Sequence, residues 1–161
     1  MSEITAIRIP EEKLAAFEAQ AKRYPNRQAM VLPALWMIQD EFGWISPEAM
    51  EYVAELTGTT PSHVYGVVSF YHMYFDKPPG KYVIEVCQTT SCSLLDCEKT
   101  LDYLHKKLGV GLEEPTADGK FMIRRVECLG ACEHAPVSQI NHRFVFKATP
   151  EKIQAEMDEL E

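Results

Sequence analysis

The sequence predicts a two-part protein of mixed α and β structure, a helical bundle over residues 1–76 followed by an α/β domain over residues 77–161. Three observations carry this. Before position 76 the apolar residues recur at helical spacing, and two helix starts are marked by a hydroxyl followed by proline. The run KPPGK, Lys77 to Lys81, then breaks the pattern. After it, apolar runs of strand length alternate with helical patterns.

The elements follow in order. Pro10 opens the run EEKLAAFEAQAKR, in which Leu14, Phe17 and Ala21 share a helix face. RQAMVLPALWMIQDEF comes next and stops at Gly43, and Pro33 inside it predicts a kink or a late start. Ser46-Pro47 and Thr60-Pro61 each place a hydroxyl where it accepts from an orphan amide, and proline where no amide is needed. Gly58 closes the first of these two helices, and the aromatics Phe70, Tyr71, Tyr74 and Phe75 crowd the end of the bundle.

In the second half YVIEV (82–86) reads as a strand. Residues 94–108 read as one helix with a stripe of Leu94, Cys97, Leu101, Leu104 and Leu108. A loop, GVGLEEPTADGK, leads to the strand FMIRRVE (121–127). The turn CLGACEHAP, the strand VSQIN, a tight Asn141-His142 turn, the strand RFVFK and a helix capped by Thr149-Pro150 complete the chain. A right-handed βαβ crossover joined to a ββα unit is the layout of a thioredoxin-like domain. Pro136, just before VSQIN, occupies the place where such folds often carry a cis proline.

Composition narrows the function. A net charge of −8 repels phosphate backbones and anionic lipid, so it disfavours nucleic acid and membrane surfaces and favours a protein partner with a basic face. No signal peptide is visible in MSEITAIRIPEEK, and the uncharged stretches 31–39 and 64–75 are shorter than the roughly 20 residues a membrane span needs. Five cysteines without an export signal point to a reducing compartment, where cysteine clusters more often mean metal or redox chemistry than disulfides.

Cys87 and Cys92 flank the end of the first strand, and Cys128 and Cys132 flank the end of the second. In a βαβ unit these strands run parallel, so both pairs leave the same sheet end, the usual ligand site of open α/β sheets. Four thiolates from two loops suit a 2Fe-2S cluster, one iron per pair, because soft sulfur ligands stabilise it. Structural zinc also takes four cysteines, though usually in a compact knuckle, and disulfide or thiol chemistry is a further alternative. There is no C-x-x-C for thioredoxin-type exchange, and a Rieske centre lacks its second C-x-H pair. Cys97, five residues after Cys92, has the spacing to compete for the ligand set, but its place on the leucine stripe favours a core role. His63, His72, His105, His134 and His142 are scattered and read as surface or core polar groups. Glu85, Asp96, Glu98, Glu127 and Glu133 crowd the ligand loops in sequence, which predicts a potential near or below roughly −400 mV. No catalytic constellation is visible on the chain itself.

Three segments carry a resemblance: PNRQAMVLPALWMIQDEFGWIS, VYGVVSFYHMYFDKPPGKYVIEVCQTTSC and DGKFMIRRVECLGACEHAPVSQIN. Together they resemble the NuoE-type subunit of NADH:quinone oxidoreductase, the thioredoxin-like 2Fe-2S subunit of respiratory complex I. The resemblance covers nearly the whole chain. It implies a helical bundle followed by a thioredoxin-like 2Fe-2S ferredoxin domain, with Cys87, Cys92, Cys128 and Cys132 as cluster ligands. It implies a flavoprotein partner carrying FMN, the NADH site and a 4Fe-4S cluster, with enzymatic activity belonging to the complex. The location it implies is cytoplasmic, peripheral on the inner face of a bacterial plasma membrane. Subunits of NAD-reducing hydrogenases and NAD-dependent formate dehydrogenases share these motifs, and free thioredoxin-like ferredoxins share only the second half. Where relatives usually have glycine soon after the second cysteine, this chain has Asp96-Cys97.

Overall fold

The computed structural model describes residues 7–160. The reading of the first residues as free of an export signal rests partly on residues 1–6, outside that range. The chain divides into two compact units, Met1–Pro78 and Pro79–Glu161.

The first unit is built of four helices, α1 (Glu11–Ala21), α2 (Val31–Phe42), α3 (Pro47–Thr57) and α4 (Pro61–Phe70). A short 3-10 turn, Gln28–Met30, precedes α2, so Pro33 falls in the helix's first turn, where its missing amide has no partner to lose. The two proline starts form as the sequence predicts. Ser46 Oγ accepts from the Ala49 amide at 3.2 Å, and Thr60 Oγ1 accepts from the His63 amide at 3.3 Å. The core holds Met30, Leu35, Ile38, Ile45, Val53 and Val64, all fully buried. Gln39 reaches out of α2 to fasten the chain after α4: its amide nitrogen donates to Met73 O at 2.9 Å and its oxygen accepts from Phe75 N at 2.8 Å. Tyr74 donates its hydroxyl to Leu32 O at 3.0 Å, and burial pushes its pKa up to about 12.

The second unit centres on a four-stranded sheet in the order β2-β1-β3-β4, with β1 Tyr82–Cys87, β2 Phe121–Val126, β3 Val137–Ile140 and β4 Arg143–Phe146. β1 and β2 are parallel, and β3 and β4 add antiparallel beyond β1. Asn141 and His142 both take positive φ, as a two-residue hairpin turn requires. The Asn141 side chain accepts from Val83 N and donates to Lys81 O, tying that turn to the start of β1.

The helices of this unit are α5 (Thr90–Leu94), α6 (Cys97–Leu108) and α7 (Pro150–Asp158). Leu101 and Leu104 of α6 and Ile153 and Met157 of α7 join Ile84, Ile123 and Ile140 in one core. Thr100 Oγ1, fully buried on α6, donates to Ala148 O at 2.5 Å and fixes α6 to the segment before α7. One expectation fails here. The chain from 94 to 108 is not one helix, because Asp96 adopts a left-handed conformation (φ 60°) that stops α5 and lets α6 begin afresh at Cys97. Leu94 therefore leaves the leucine stripe and stands exposed, while Cys97, Leu101 and Leu104 remain buried.

Candidate metal centre

Parallel pairing sets the site. In the β1–β2 register Cys87 lies opposite Val126, and Cys128 follows two residues later, so both cysteine loops leave the same end of the sheet. The first loop turns at Thr89 into α5, with Cys92 N donating to Thr89 O at 2.8 Å. The second turns at Gly130, whose positive φ of 78° allows the tight return, and continues as a 3-10 turn over Cys132–His134. The Ala135–Pro136 bond is cis.

The cysteines fall into two environments. Cys87 and Cys92 are buried at 3% and 2% exposure, and their thiols interact with each other. Cys128 and Cys132 are exposed, with their sulfurs 3.9 Å apart. Behind the effect of Cys128, the Ser91 side chain acts to lower the Cys132 thiol and the Cys87 charge to raise it, so the two loops lie near each other. None of the five cysteines is in a disulfide.

Backbone amides point at these sulfurs. Gly130 N–H donates to Cys128 Sγ at 3.3 Å. At Cys87, burial works to raise the thiol pKa, but the Thr89 and Leu129 amides and the Thr89 and Cys92 side chains outweigh it and hold the thiol below its ordinary value. Burial pushes the Cys92 thiol up to about 11 against a bond from the Val137 amide. Its hydrogen bond to neighbouring Cys128, together with the Cys128 charge, raises Cys132. Burial first, then Glu98, raises Cys97.

Cys97 is buried at 2% exposure among the core residues, close enough to Cys87 and Cys92 for their charges to act on one another. The acidic residues that crowd the loops in sequence all have neighbours. Glu85 accepts from Gln139 at 2.5 Å and lies 3.9 Å from Arg124. Asp96 pairs with Lys99 and Glu98 with Arg125, each at 2.6 Å, and Glu127 accepts from Gln88 at 2.8 Å. Glu133 lies 3.8 Å from the His134 ring. The negative field at the thiols is thus weaker than a count of carboxylates suggests. What the sequence reading missed is the set of amide donors and Ser91, since backbone direction leaves no mark in side-chain pattern.

The donor chemistry fits a thiolate-bound metal, iron and zinc alike. In a tetrahedral site with metal–sulfur bonds of about 2.3 Å, two sulfurs stand about 3.8 Å apart, close to the 3.9 Å between Cys128 and Cys132. Among the described residues no three His, Cys, Asp or Glu side chains converge on a single metal position. The arrangement is one of pairs.

Residues 17–161 match the family model for thioredoxin-like 2Fe-2S ferredoxins. The chain is 47% identical to NADH-quinone oxidoreductase subunit 2 of Thermus thermophilus, over 81% of this chain and 74% of that one. It is 38% identical to an NADH-quinone oxidoreductase subunit of Rickettsia bellii, over 99% of this chain and 97% of the relative. Against the Mycobacterium bovis protein of the same name the identity is 37%, and the match spans 94% of this chain but 62% of the longer relative. A crystal structure of an NAD+-reducing NiFe-hydrogenase shares the fold, with a TM-score of 0.67 and 20% identity over 78% of this chain and 21% of that one.

Proposed function

This chain belongs to the thioredoxin-like 2Fe-2S ferredoxin family, and on that premise we propose that it is the electron-transfer subunit of an NADH:quinone oxidoreductase. In this reading Cys87 and Cys92 hold one iron of a 2Fe-2S cluster, and Cys128 and Cys132 hold the other. The observation that carries it is the placing of two cysteine pairs at one sheet end, with the exposed pair spaced for a single tetrahedral metal ion. When bound, the cluster supplies one-electron storage, exchanged with the FMN of an adjacent flavoprotein subunit.

The chain's own residues do the rest. The parallel strands hold the two loops in register, and Gly130 lets the second loop fold back on its own sulfur. The Thr89, Leu129, Gly130 and Val137 amides orient thiolate sulfur and spread its charge. The core around Cys87 and Cys92 keeps water from one side of the site. The helical unit, with Tyr65 and Phe70 of α4 exposed, acts as a clamp on the partner. No helix among the described residues is long and apolar enough to cross a membrane, so attachment to the inner face of the plasma membrane would come through the complex.

The relatives named as quinone oxidoreductase subunits favour that complex over an NAD-reducing hydrogenase or a formate dehydrogenase. The decisive experiment is anaerobic purification with iron, sulfide and zinc analysis, followed by mixing with the flavoprotein subunit and NADH under EPR. Two irons and two sulfides per chain, and a cluster signal that appears only with both flavoprotein and NADH, are expected. Zinc without sulfide refutes the reading.

A further inference from the structure

Two leucines at the cluster end have no packing role. Leu94 is 79% exposed and Leu95 is 54% exposed, two and three residues after the buried Cys92. Single exposed leucines need no explanation. An adjacent pair where a one-turn helix ends is different, because a left-handed non-glycine residue, Asp96, breaks the helix that would otherwise carry Leu94 on its buried stripe.

Their location is fixed by the first cysteine loop. Leu94 ends α5 and Leu95 follows it, two and three residues after Cys92, at the sheet end from which the Cys128–Cys132 loop also leaves. The leucines thus stand at the same sheet end as the exposed thiols of Cys128 and Cys132. Asp96 and Glu98 follow the leucines in the chain, and Glu127 and Glu133 each adjoin an exposed cysteine; Lys99 and Arg125 pair with the first two, so acids outnumber bases at this end.

We propose that Leu94 and Leu95 are the apolar anchor by which the flavin-bearing subunit docks over the exposed cysteine pair, through an apolar patch of its own rimmed by lysine and arginine. This rests on the function proposed above and names the contact that function needs. Water left between two redox centres weakens their coupling and hydrolyses exposed thiolate–iron bonds, and burying two leucines at the mouth of the site expels it. The excess of acids steers a basic partner into place, while a small central apolar contact carries a large share of the affinity.

The test uses the full-length subunit, the flavoprotein subunit and NADH, with the double variants Leu94→Glu/Leu95→Glu and Leu94→Met/Leu95→Met. The isolated variants should keep the visible and EPR spectra of the parent. The glutamate variant should bind the flavoprotein at least about tenfold more weakly and be reduced correspondingly slowly, while the methionine variant stays within about threefold of the parent. Should the glutamates disturb cluster insertion, Leu94→Ser/Leu95→Ser gives the same comparison without added charge. Variants that bind and are reduced like the parent would overturn the docking proposal and leave the function standing. A parent subunit that neither binds the flavoprotein nor is reduced through it would overturn both. A parent dimer that the glutamates dissociate, with flavoprotein affinity unchanged, would show that the leucines meet a second copy and would overturn the proposal alone.

Discussion

Replacing Cys97 by alanine separates a core thiol from a ligand thiol at the one position where sequence spacing allows either. The side chain is 2% exposed and belongs to the same core as Leu101 and Leu104. Removing its sulfur forfeits the transfer energy of a group of about methylene size, about 0.8 kcal/mol. It also leaves a cavity of about 25 Å3, which at about 24 cal/mol per Å3 adds about 0.6 kcal/mol. A loss of about 1.4 kcal/mol in a unit of about 80 residues lowers its melting temperature by about 6–11 °C. The assay is thermal unfolding followed at the cluster's visible absorbance, with the EPR spectrum and iron content recorded beforehand. Spectrum and iron should match the parent while the melt shifts. A colourless Cys97→Ala protein, or one whose EPR signal changes while Cys92→Ala stays coloured, would refute the ligand assignment. An unshifted melt would refute the packing argument.

Other expectations follow from the same geometry. Alanine at Cys87, Cys92, Cys128 or Cys132 should abolish or severely alter the cluster spectrum, because an iron short of one thiolate is open to hydrolysis; iron and sulfide analysis reads the loss directly. Asp96→Val should cost about 1–2 kcal/mol, since a β-branched side chain tolerates a φ of 60° poorly. Asp96→Gly should be close to neutral in a denaturant melt, because the exposed Lys99 pair it removes is worth little. Thr100→Val, which strips a buried donor from Ala148 O, should cost about 1–3 kcal/mol in the same melt. Deleting residues 1–76 should leave a coloured, folded domain that no longer holds the flavoprotein in a pull-down, since the second core is complete without them.

Much of this was legible in the sequence because the signals were local and strong. Ser46-Pro47, Thr60-Pro61 and Thr149-Pro150 each cap a helix as read, and each hydroxyl accepts the expected amide. Apolar runs of strand length marked the strands, and the cysteines' positions at two strand ends put them at one sheet edge once β1 and β2 proved parallel. The break at Asp96 was not legible. Leu94, Cys97, Leu101 and Leu104 keep helical spacing straight through it, and a left-handed aspartate carries none of glycine's warning. Nor could the sequence show that Glu85 would turn toward Gln139 and Arg124, because those partners lie 54 and 39 positions away and meet it only through strand register.

The unequal burial of the two cysteine pairs has a consequence for wear. Oxidants, alkylating agents and chelators arrive through water, and thiol attack follows exposure. In the free protein they reach Cys128 and Cys132 before Cys87 and Cys92, which the core covers. Damage therefore begins on one side of the site and leaves the interior pair as an intact half-socket, still held by the Thr89, Leu129 and Val137 amides. Repair has to renew only the outward side, and a partner seated over the exposed pair protects the side that ages first.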